Sequence, residues 1–512
     1  MLVKTFGGAV FGIEALVITV EVNAATGAKF YMVGLPDNAV KESQQRIEAA
    51  LRNNGFRIPG KRITVNLAPA DIRKEGSSYD LAIALGILAS SEQIPEEGLD
   101  KFIILGELSL DGSVLPVRGA LPVAVRAAKE HFEGLIVPEA NAKEAAVVQG
   151  LKIFGIRNLR EAIDILAGRP ERPPVGVNPE ELLHLPVPAG EPDFSDVRGQ
   201  ENIKRALEIA AAGGHNVILV GPPGAGKTML ARRLPGILPP MSLAEALETT
   251  MIHSVAGKLS PSETLVTRRP FRAPHHTISD VALVGGGSFP RPGEISLAHN
   301  GVLFLDELPE FKRQVLEVMR QPMEDRVVTI SRSRFSVEFP ASFMLVASMN
   351  PCPCGNFNHP EKDCICPPGT VSKYMNRISG PLLDRIDLHV EVTPVPFNRL
   401  SESRVPENSE AIRQRVVKAR ARQAERFKKF PHIFCNAQMT TRLLRDICPI
   451  PHEAQNLLKQ AMDRLGLSAR AYDRILRVSR TIADLDGSPT IQTHHVAEAI
   501  HYRSLDRDLW KR

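Results

Sequence analysis

The chain has 512 residues, of which 43% are hydrophobic and 24% are charged, and its formal net charge is +5. These proportions are typical of a globular protein and exclude disordered, collagenous and disulfide-scaffold proteins. At about 150 residues per domain, the length predicts three domains. No apolar run reaches the roughly 20 residues that a membrane helix needs, so we expect no membrane partner and a cytoplasmic location.

The first part of the chain alternates short apolar runs with helical patterns. Apolar runs at 15–22 and 62–67 predict strands, and periodic apolar residues at 38–53 predict a helix between them. This alternation predicts an α/β domain over residues 1–168. Seven prolines follow between residues 169 and 193, and they exclude regular structure through most of that segment. We interpret 169–193 as a linker.

A glycine-rich segment follows the apolar run 216–220 and precedes a helix-forming run, which is the context that a phosphate-binding P-loop requires. Its glycines let backbone N–H groups surround a phosphate, Lys227 reaches the β- and γ-phosphates, and the Thr228 hydroxyl binds Mg²⁺. The sequence therefore predicts ATP and Mg²⁺ as ligands. The proposed nucleotide-binding residues are Gly221, Pro222, Pro223, Gly224, Ala225, Gly226, Lys227, Thr228, Met229 and Asp306.

Two acidic residues, Asp306 and Glu307, end the apolar run 301–305. Asp306 is predicted to hold Mg²⁺, and Glu307 to accept a proton from the water that attacks the γ-phosphate. The alternative for the pair is an acidic N-cap of the following helix. Asn350, at the end of the apolar run 343–349, is predicted to orient that water, with a role in a turn as its alternative. The predicted reaction is ATP hydrolysis.

Four of the six cysteines lie within fifteen residues in the pattern C-x-C-x9-C-x-C. Such a pattern supplies four soft ligands for a tetrahedral zinc ion, with His359 or His389 as a substitute ligand and free thiols as the alternative. The metal ligands predicted from the sequence are Thr228 and Asp306 for Mg²⁺, and Cys352, Cys354, Cys364 and Cys366 for Zn²⁺.

Two further arginines are predicted to act on the nucleotide. Arg385 is a candidate arginine finger for the γ-phosphate of a neighbouring subunit, and the alternative is a salt bridge with Asp384 or Asp387. Arg470 would begin a helix that folds back onto the nucleotide, with Arg474 as the other candidate. The predicted catalytic residues are thus Glu307, Lys227, Asn350, Arg385 and Arg470.

The segment 401–512 is predicted to form a third, helical domain. It contains 21 Lys and Arg against 13 Asp and Glu, and the predicted helix 412–429 carries eight of these basic residues. A basic helix of this kind favours contact with DNA phosphates, and a solvated helix is the alternative. Base stacking is not indicated, because no aromatic residue occurs in that helix before Phe427.

Several longer segments resemble the Mg-chelatase-like AAA+ ATPases, and most closely their ComM/YifB group. They include residues 270–277, 349–355 and 377–387, and the resemblance covers nearly the whole chain. It implies an AAA+ core over 194–400, with a helix-2 insert, a pre-sensor hairpin and the cysteine cluster, followed by a helical lid over 401–512.

The same resemblance implies a function. It indicates a ring-forming, hexameric ATP-dependent DNA motor with helicase or branch-migration activity on recombination intermediates during DNA uptake. Single-stranded or branched DNA and recombination proteins are the implied partners. The alternative is a protein-remodelling ATPase of the magnesium-chelatase motor type.

The N-terminal domain resembles the proteolytic domain of Lon, which implies a ribosomal-S5-domain-2-like α/β fold. Ser78 falls on the position of the Lon nucleophile, but segment 114–125, which supplies the general-base lysine in Lon, contains no lysine. A serine needs a base to lose its proton, so we predict that Ser78 is inert and that the domain is a scaffold or contacts DNA.

Two segments of the AAA+ core are predicted to approach DNA. Residues 267–294 fit the helix-2 insert and would project into a central pore, and residues 326–339 predict a β-hairpin with Arg332 and Arg334 at its tip. A solvated hairpin tip is the alternative. His275 and His276 lack a partner at metal-ligand spacing, so we interpret them as loop residues.

Overall fold

Two β-sheets and a C-terminal group of helices organise the protein. The computed structural model describes residues 1–183, 190–260, 263–287, 290–332, 335–357, 361–395, 406–430 and 432–503. Within these ranges, none of the helices combines the length and the apolar character needed to cross a membrane.

The first sheet belongs to the N-terminal part of the chain and has seven strands. In spatial order they are Phe30–Val33, Arg62–Ala68, Glu14–Ala25, Leu2–Phe11, Phe102–Ile104, Gly134–Pro138 and Lys152–Ile156. Leu2–Phe11 and Glu14–Ala25 form an antiparallel hairpin, whereas the last three strands are parallel. The predicted strands at 15–22 and 62–67 are confirmed, each slightly longer than predicted.

Helices cover both faces of this sheet, because residues on each face pack into an apolar cluster with helical residues. On strand Glu14–Ala25, Ile18 and Val20 pack into one apolar cluster, and Ala15 and Val17 pack into another on the opposite face. The helices of this part are Asn38–Asn53, Asp80–Ser90, Ala120–Lys129, Glu139–Ala145 and Leu159–Leu166, and a short ribbon pairs Glu107–Leu108 with Val114–Leu115. The predicted helix at 38–53 is confirmed.

The proline-rich segment lies against the edge of the N-terminal sheet. The Val175 N–H donates to the Ile153 carbonyl at 2.8 Å, and Arg172 forms ion pairs with Glu139 and Glu161 at 2.7 and 3.2 Å. The short helix Pro179–Leu183 follows. The described part of the predicted linker is therefore attached to the N-terminal sheet over much of its length.

The second sheet is parallel, as the alternation of strands and helices after the linker predicts. In spatial order its strands are Phe271–Arg272, Val302–Leu305, Met344–Met349, Val217–Val220 and Leu388–Glu391. The last four have almost no exposed side chains, and two of them, Val217–Val220 and Val302–Leu305, are apolar throughout. Their carboxyl ends share one edge, so residues that follow the strands meet there.

Short helices and two ribbons surround this parallel sheet. The α-helices are Glu201–Gly213, Lys227–Arg233, Leu243–Ala256, Asp280–Val284, Glu294–Leu297, Arg313–Val318, Arg320–Asp325, Thr370–Met375 and Gly380–Leu383, and the 3₁₀ helices are Phe194–Asp196, Leu234–Ile237 and Leu308–Glu310. One ribbon pairs Gly285–Gly286 with Arg291–Pro292. The other, Val327–Arg332 with Phe335–Pro340, confirms the predicted hairpin, although Arg334 and the Arg332 side chain lie outside the described residues.

The chain after residue 406 is helical and shares a core with the parallel sheet. Its helices are Ser409–Phe427, Thr441–Ile447, His452–Leu465, Ala469–Leu485 and Thr493–His501, with the 3₁₀ helix Asn436–Gln438. Ile482 and Val416 belong to the same apolar cluster as Val217 and Val346 of the sheet. The C-terminal helices thus share an apolar core with one face of the sheet that carries the P-loop, and they contact helix Glu201–Gly213.

Candidate active site

The P-loop connects strand Val217–Val220 to helix Lys227–Arg233, and its glycines are sterically required. Gly224 and Gly226 have φ angles of +78° and +85°, in the left-handed region that favours glycine. A Cβ atom on Gly221 would lie 2.2 Å from the Val392 carbonyl oxygen. Side chains at these three positions would distort the loop. The backbone conformation therefore requires the glycines that the sequence pattern contains.

Lys227 is buried and is held by three oxygen atoms. Its Nζ donates to the carbonyls of Gly221 and Pro222 at 2.7 and 2.9 Å, and to Asn350 Oδ1 at 3.0 Å. Burial lowers the pKa of Lys227, while the nearby Asp306 and Glu307 act in the opposite direction. The contact with Asn350 places two predicted site residues, 123 positions apart in the chain, side by side.

Asp306 accepts hydrogen bonds from two hydroxyl groups. Thr228 Oγ1 donates to Asp306 Oδ2 at 2.7 Å, and Ser348 Oγ donates to Asp306 Oδ1. The two residues predicted to hold Mg²⁺ are therefore in direct contact, and their oxygen atoms suit a hard divalent cation. Ser348 was not predicted; the available signal was a hydroxyl inside the apolar strand Met344–Met349, next to the strand that ends at Asp306.

Glu307 adopts an unusual backbone conformation, with φ at +53°. Non-glycine residues rarely occupy this region, and when they do they often lie at functional sites. The Glu307 side chain is 56% exposed, and its Oε2 lies 3.5 Å from Nδ1 of His276. His276 lies in a loop, as predicted, but the sequence did not reveal that it contacts the candidate general base. The His275 and His276 rings lie next to each other, with centroids 4.1 Å apart.

Arg385 forms a salt bridge, but with a partner that the sequence did not suggest. Its Nη2 lies 2.6 Å from Glu324 Oε1, and its Nη1 donates to the Pro381 carbonyl at 2.6 Å. Asp387, which was one of the two suggested partners, pairs with Arg474 at 2.5 Å. The Arg385 side chain is only 9% exposed in this arrangement.

The structure separates the two candidates Arg470 and Arg474. Arg474 donates to the carbonyl of Arg385 and to the buried carboxylate of Asp387. Burial by itself would raise the pKa of Asp387, but Arg474 and His215 hold that pKa well below its ordinary value. Arg470 is exposed at the start of helix Ala469–Leu485 and lines a cavity of about 600 Å³.

Most arginines of helix Ser409–Phe427 are engaged within the chain. Arg415 pairs with Glu208 and Glu407, and Arg426 pairs with the buried Asp484. Further bonds to carbonyl oxygens come from Arg420 and Arg422. These contacts attach the helix to its neighbours. Fewer of its arginines are therefore available to bind DNA phosphates than its sequence indicates.

The four clustered cysteines converge as the zinc prediction requires. Their sulfur atoms all lie within 4.8 Å of one another, and three of the separations are 3.3, 3.6 and 3.7 Å. A tetrahedral zinc site with Zn–S bonds of about 2.3 Å needs sulfurs about 3.8 Å apart. The Phe357 N–H donates to Cys352 Sγ at 3.3 Å. The Asn356 N–H lowers the pKa of Cys354, whereas burial raises the pKa of Cys352. The donor set therefore fits the ion.

The two histidines considered as substitute zinc ligands differ in position. His389 is buried on strand Leu388–Glu391, with Nε2 3.3 Å from Arg503 Nη1, and it is not part of the cysteine cluster. His359 lies outside the described residues. Among the residues that the structure describes, the four cysteines form the candidate site.

Three family models match successive parts of the chain. The model described as subunit ChlI of Mg-chelatase matches residues 20–141, and the model described as magnesium chelatase, subunit ChlI, matches residues 193–400. The model described as magnesium chelatase, subunit ChlI C-terminal, matches residues 406–503. The matches thus extend over both sheets and the C-terminal helices.

Two relatives are similar over almost their full length. The chain is 45% identical over 506 residues to the uncharacterized protein YifB of Escherichia coli K12, covering 98% of this chain and 96% of that protein. It is 44% identical over 509 residues to the competence protein ComM of Haemophilus influenzae, covering 99% and 98%. The magnesium-chelatase subunit ChlI of Synechocystis is 25% identical over 318 residues, which is 57% of this chain and 75% of that protein.

Proposed function

Because the chain belongs to the ComM/YifB family of Mg-chelatase-like AAA+ ATPases, we propose that it is a ring-forming ATP hydrolase that moves on DNA. The observation that supports the hydrolase is the convergence of Lys227, Asp306 and Asn350 beyond the carboxyl ends of adjacent parallel strands. Phosphoryl transfer from ATP to water needs backbone N–H donors, a lysine, a cation site and an amide that orients the water. The site supplies each of these groups.

Each residue has a specific task in this proposal. Lys227 binds the β- and γ-phosphates, and Thr228 with Asp306 would hold Mg²⁺. When bound, that ion would neutralise charge that develops on the phosphate oxygens. Glu307 accepts a proton from the attacking water, and Asn350 orients that water. The neighbouring glycines, Pro222, Pro223, Ala225 and Met229 shape the loop around the nucleotide.

The proposed ring is a hexamer, in which Arg385 acts on the γ-phosphate held by a neighbouring subunit. Arg385 is bound to Glu324 in the single chain, so this pair must separate when Arg385 reaches a neighbour. Arg470 is proposed as a second contact to the nucleotide. Its exposure supports this assignment, because its guanidinium is free to reorient, whereas Arg474 is bound to Asp387.

The wider assignments follow from the same family membership. We propose that residues 1–168 form a Lon-like, ribosomal-S5-domain-2-like domain, that 169–193 is the linker, that 194–400 is the AAA+ core and that 401–512 is the helical lid. We further propose helicase or branch-migration activity on single-stranded or branched DNA, with recombination proteins as partners. The relative named competence protein ComM supports a role in DNA uptake. Such a motor acts in the cytoplasm.

The cysteine cluster is proposed to bind one zinc ion. The sulfur separations and the N–H donors around them support this assignment. When bound, the ion would connect residues 352–354 to residues 364–366.

A second candidate function is protein remodelling by a motor of the magnesium-chelatase type. The three family models, all of magnesium-chelatase subunit ChlI, favour it. This function predicts ATP turnover that a partner protein stimulates and that DNA leaves unchanged.

The deciding experiment measures ATP turnover of the purified chain with and without single-stranded DNA, duplex DNA and a four-way junction, with Glu307→Gln as the control. We expect stimulation by DNA that Glu307→Gln abolishes. An assembled, active ATPase that no DNA stimulates would overturn the DNA motor and favour protein remodelling.

A further inference from the structure

The loop that carries the cysteine cluster touches the P-loop. Gly355, which follows Cys354, has a φ angle of +81°, and a Cβ atom added to it would lie 2.4 Å from Pro223 Cδ. A contact this close leaves no room for a side chain. The backbone of the cysteine loop is therefore packed directly on the segment that would surround the phosphates.

The same loop reaches the P-loop at a second point. Asn350 precedes Cys352 by two residues, and its Oδ1 accepts the hydrogen bond of 3.0 Å from Lys227 Nζ. The contact of Gly355 with Pro223 is in the middle of the P-loop, and the contact of Asn350 with Lys227 is at its end. A movement of the cysteine loop would thus disturb the phosphate-binding backbone and its lysine together.

Backbone pairing does little to fix the cysteine loop. Between Asn350 and helix Thr370–Met375, the described residues form neither helix nor strand. The four sulfur atoms of the loop converge within 4.8 Å of one another. An ion bonded to all four would join the two ends of the loop, as structural zinc does in segments that lack a core of their own.

We propose that zinc at the cysteine cluster sets the affinity of the P-loop for ATP, and this proposal rests on the ATP-binding function proposed above. Bound zinc would keep Gly355 against Pro223. Loss of zinc would release this contact beside the lysine that Asn350 holds, so the supply of the metal regulates the first step of the ATPase cycle.

The first test removes and restores the metal on the full chain. Zinc content is measured by mass spectrometry, and the Kd of a fluorescent ATP analogue is measured in excess Mg²⁺ before and after treatment with a soft-metal chelator. We expect the Kd to rise at least about tenfold on removal and to return when Zn²⁺ alone is added. Full ATP affinity in the stripped chain, or a chain that binds no zinc, would overturn the proposal.

The second test separates the metal from the contact that it maintains. Gly355→Ala should retain zinc and weaken ATP binding, because its methyl group displaces Pro223. Gly369→Ala is the matched control, since Gly369 has a similar φ of +75° but no described atom lies within 4 Å of an added Cβ. Equal ATP affinity of the two variants would contradict the proposal.

Cysteine variants complete the design. Cys366→Ser should lose zinc and ATP affinity together, whereas Cys448→Ser, a buried thiol outside the cluster, should retain both. A chain that carries zinc but binds no ATP in any form would instead reject the ATP-binding function itself. The failure of the regulation and the failure of the function are therefore distinguishable.

Discussion

His276 Nδ1 lies 3.5 Å from Glu307 Oε2, so a residue of the proposed helix-2 insert, 267–294, contacts the proposed general base. A carboxylate that a histidine holds is less available to accept a proton from water. The contact also links the segment proposed to approach DNA with the proposed site of hydrolysis. His276 is thus a positioning residue for Glu307.

The first prediction concerns this contact. His276→Ala should raise ATP turnover in the absence of DNA by about 1.5- to 5-fold, the equivalent of an exposed pair that contributes about 0.2–1 kcal/mol. His275→Ala is the matched control, because Nδ1 of His275 bonds to Thr277 Oγ1 rather than to Glu307. Steady-state turnover without DNA is the measurement. Equal rates for the two variants would contradict a positioning role.

The second prediction separates ATP binding from hydrolysis. Glu307→Gln should lower the rate of turnover by about 10²- to 10⁴-fold, the typical contribution of a general base, and leave the Kd for ATP nearly unchanged. Turnover and equilibrium binding of an ATP analogue are measured on the same preparation. A variant that still hydrolyses ATP at the parental rate would show that another group accepts the proton.

The third prediction concerns the buried pair of Arg474 and Asp387. Arg474→Ala should destabilise the fold by about 3 kcal/mol, because it removes the only arginine paired with the buried Asp387 carboxylate among the described residues. Arg470→Ala, on the same helix but exposed, should change stability by less than about 0.5 kcal/mol. Denaturant unfolding compares the variants. A similar decrease in the free energy of unfolding in both variants would show that Arg474 is no more important for stability than Arg470.

The fourth prediction follows from the low pKa of Asp387. Because its folded-state pKa lies below its ordinary value of 3.8, the ion pair stabilises the fold above that pH. This contribution is lost as the pH falls below about 3.8 towards the folded-state pKa. Asp387→Asn should therefore be less stable at neutral pH and should show a shallower loss of Tm in acid. An acid profile parallel to that of the parent would exclude Asp387 as a contributor.

The local parts of the site could be predicted from the sequence, because each depends on a short pattern. The P-loop, the strand before Asp306 and the spacing of the cysteines are patterns of this kind. The contact of Asn350 with Lys227 was implied only by the rule that parallel strands end at one edge. Sequence reasoning could therefore find the residues but not their hydrogen bonds.

The remaining features depend on residues that are distant in the chain. Arg426 and Asp484 are 58 positions apart, and counting charges along helix Ser409–Phe427 could not show which arginines are paired inside the protein. Glu324 was missed as the partner of Arg385 for the same reason, since 61 positions separate them. Packing, rather than local pattern, decides these contacts.

The bond from the Val175 N–H to the Ile153 carbonyl has a practical consequence for dividing the chain. Strand Lys152–Ile156 is the last in its sheet, and an uncovered edge strand readily pairs with another molecule. A fragment that stops at residue 168 would leave this edge bare and tend to aggregate, whereas one that continues to residue 183 would keep it covered. The first proline-rich residues should therefore be expressed as part of the N-terminal fragment.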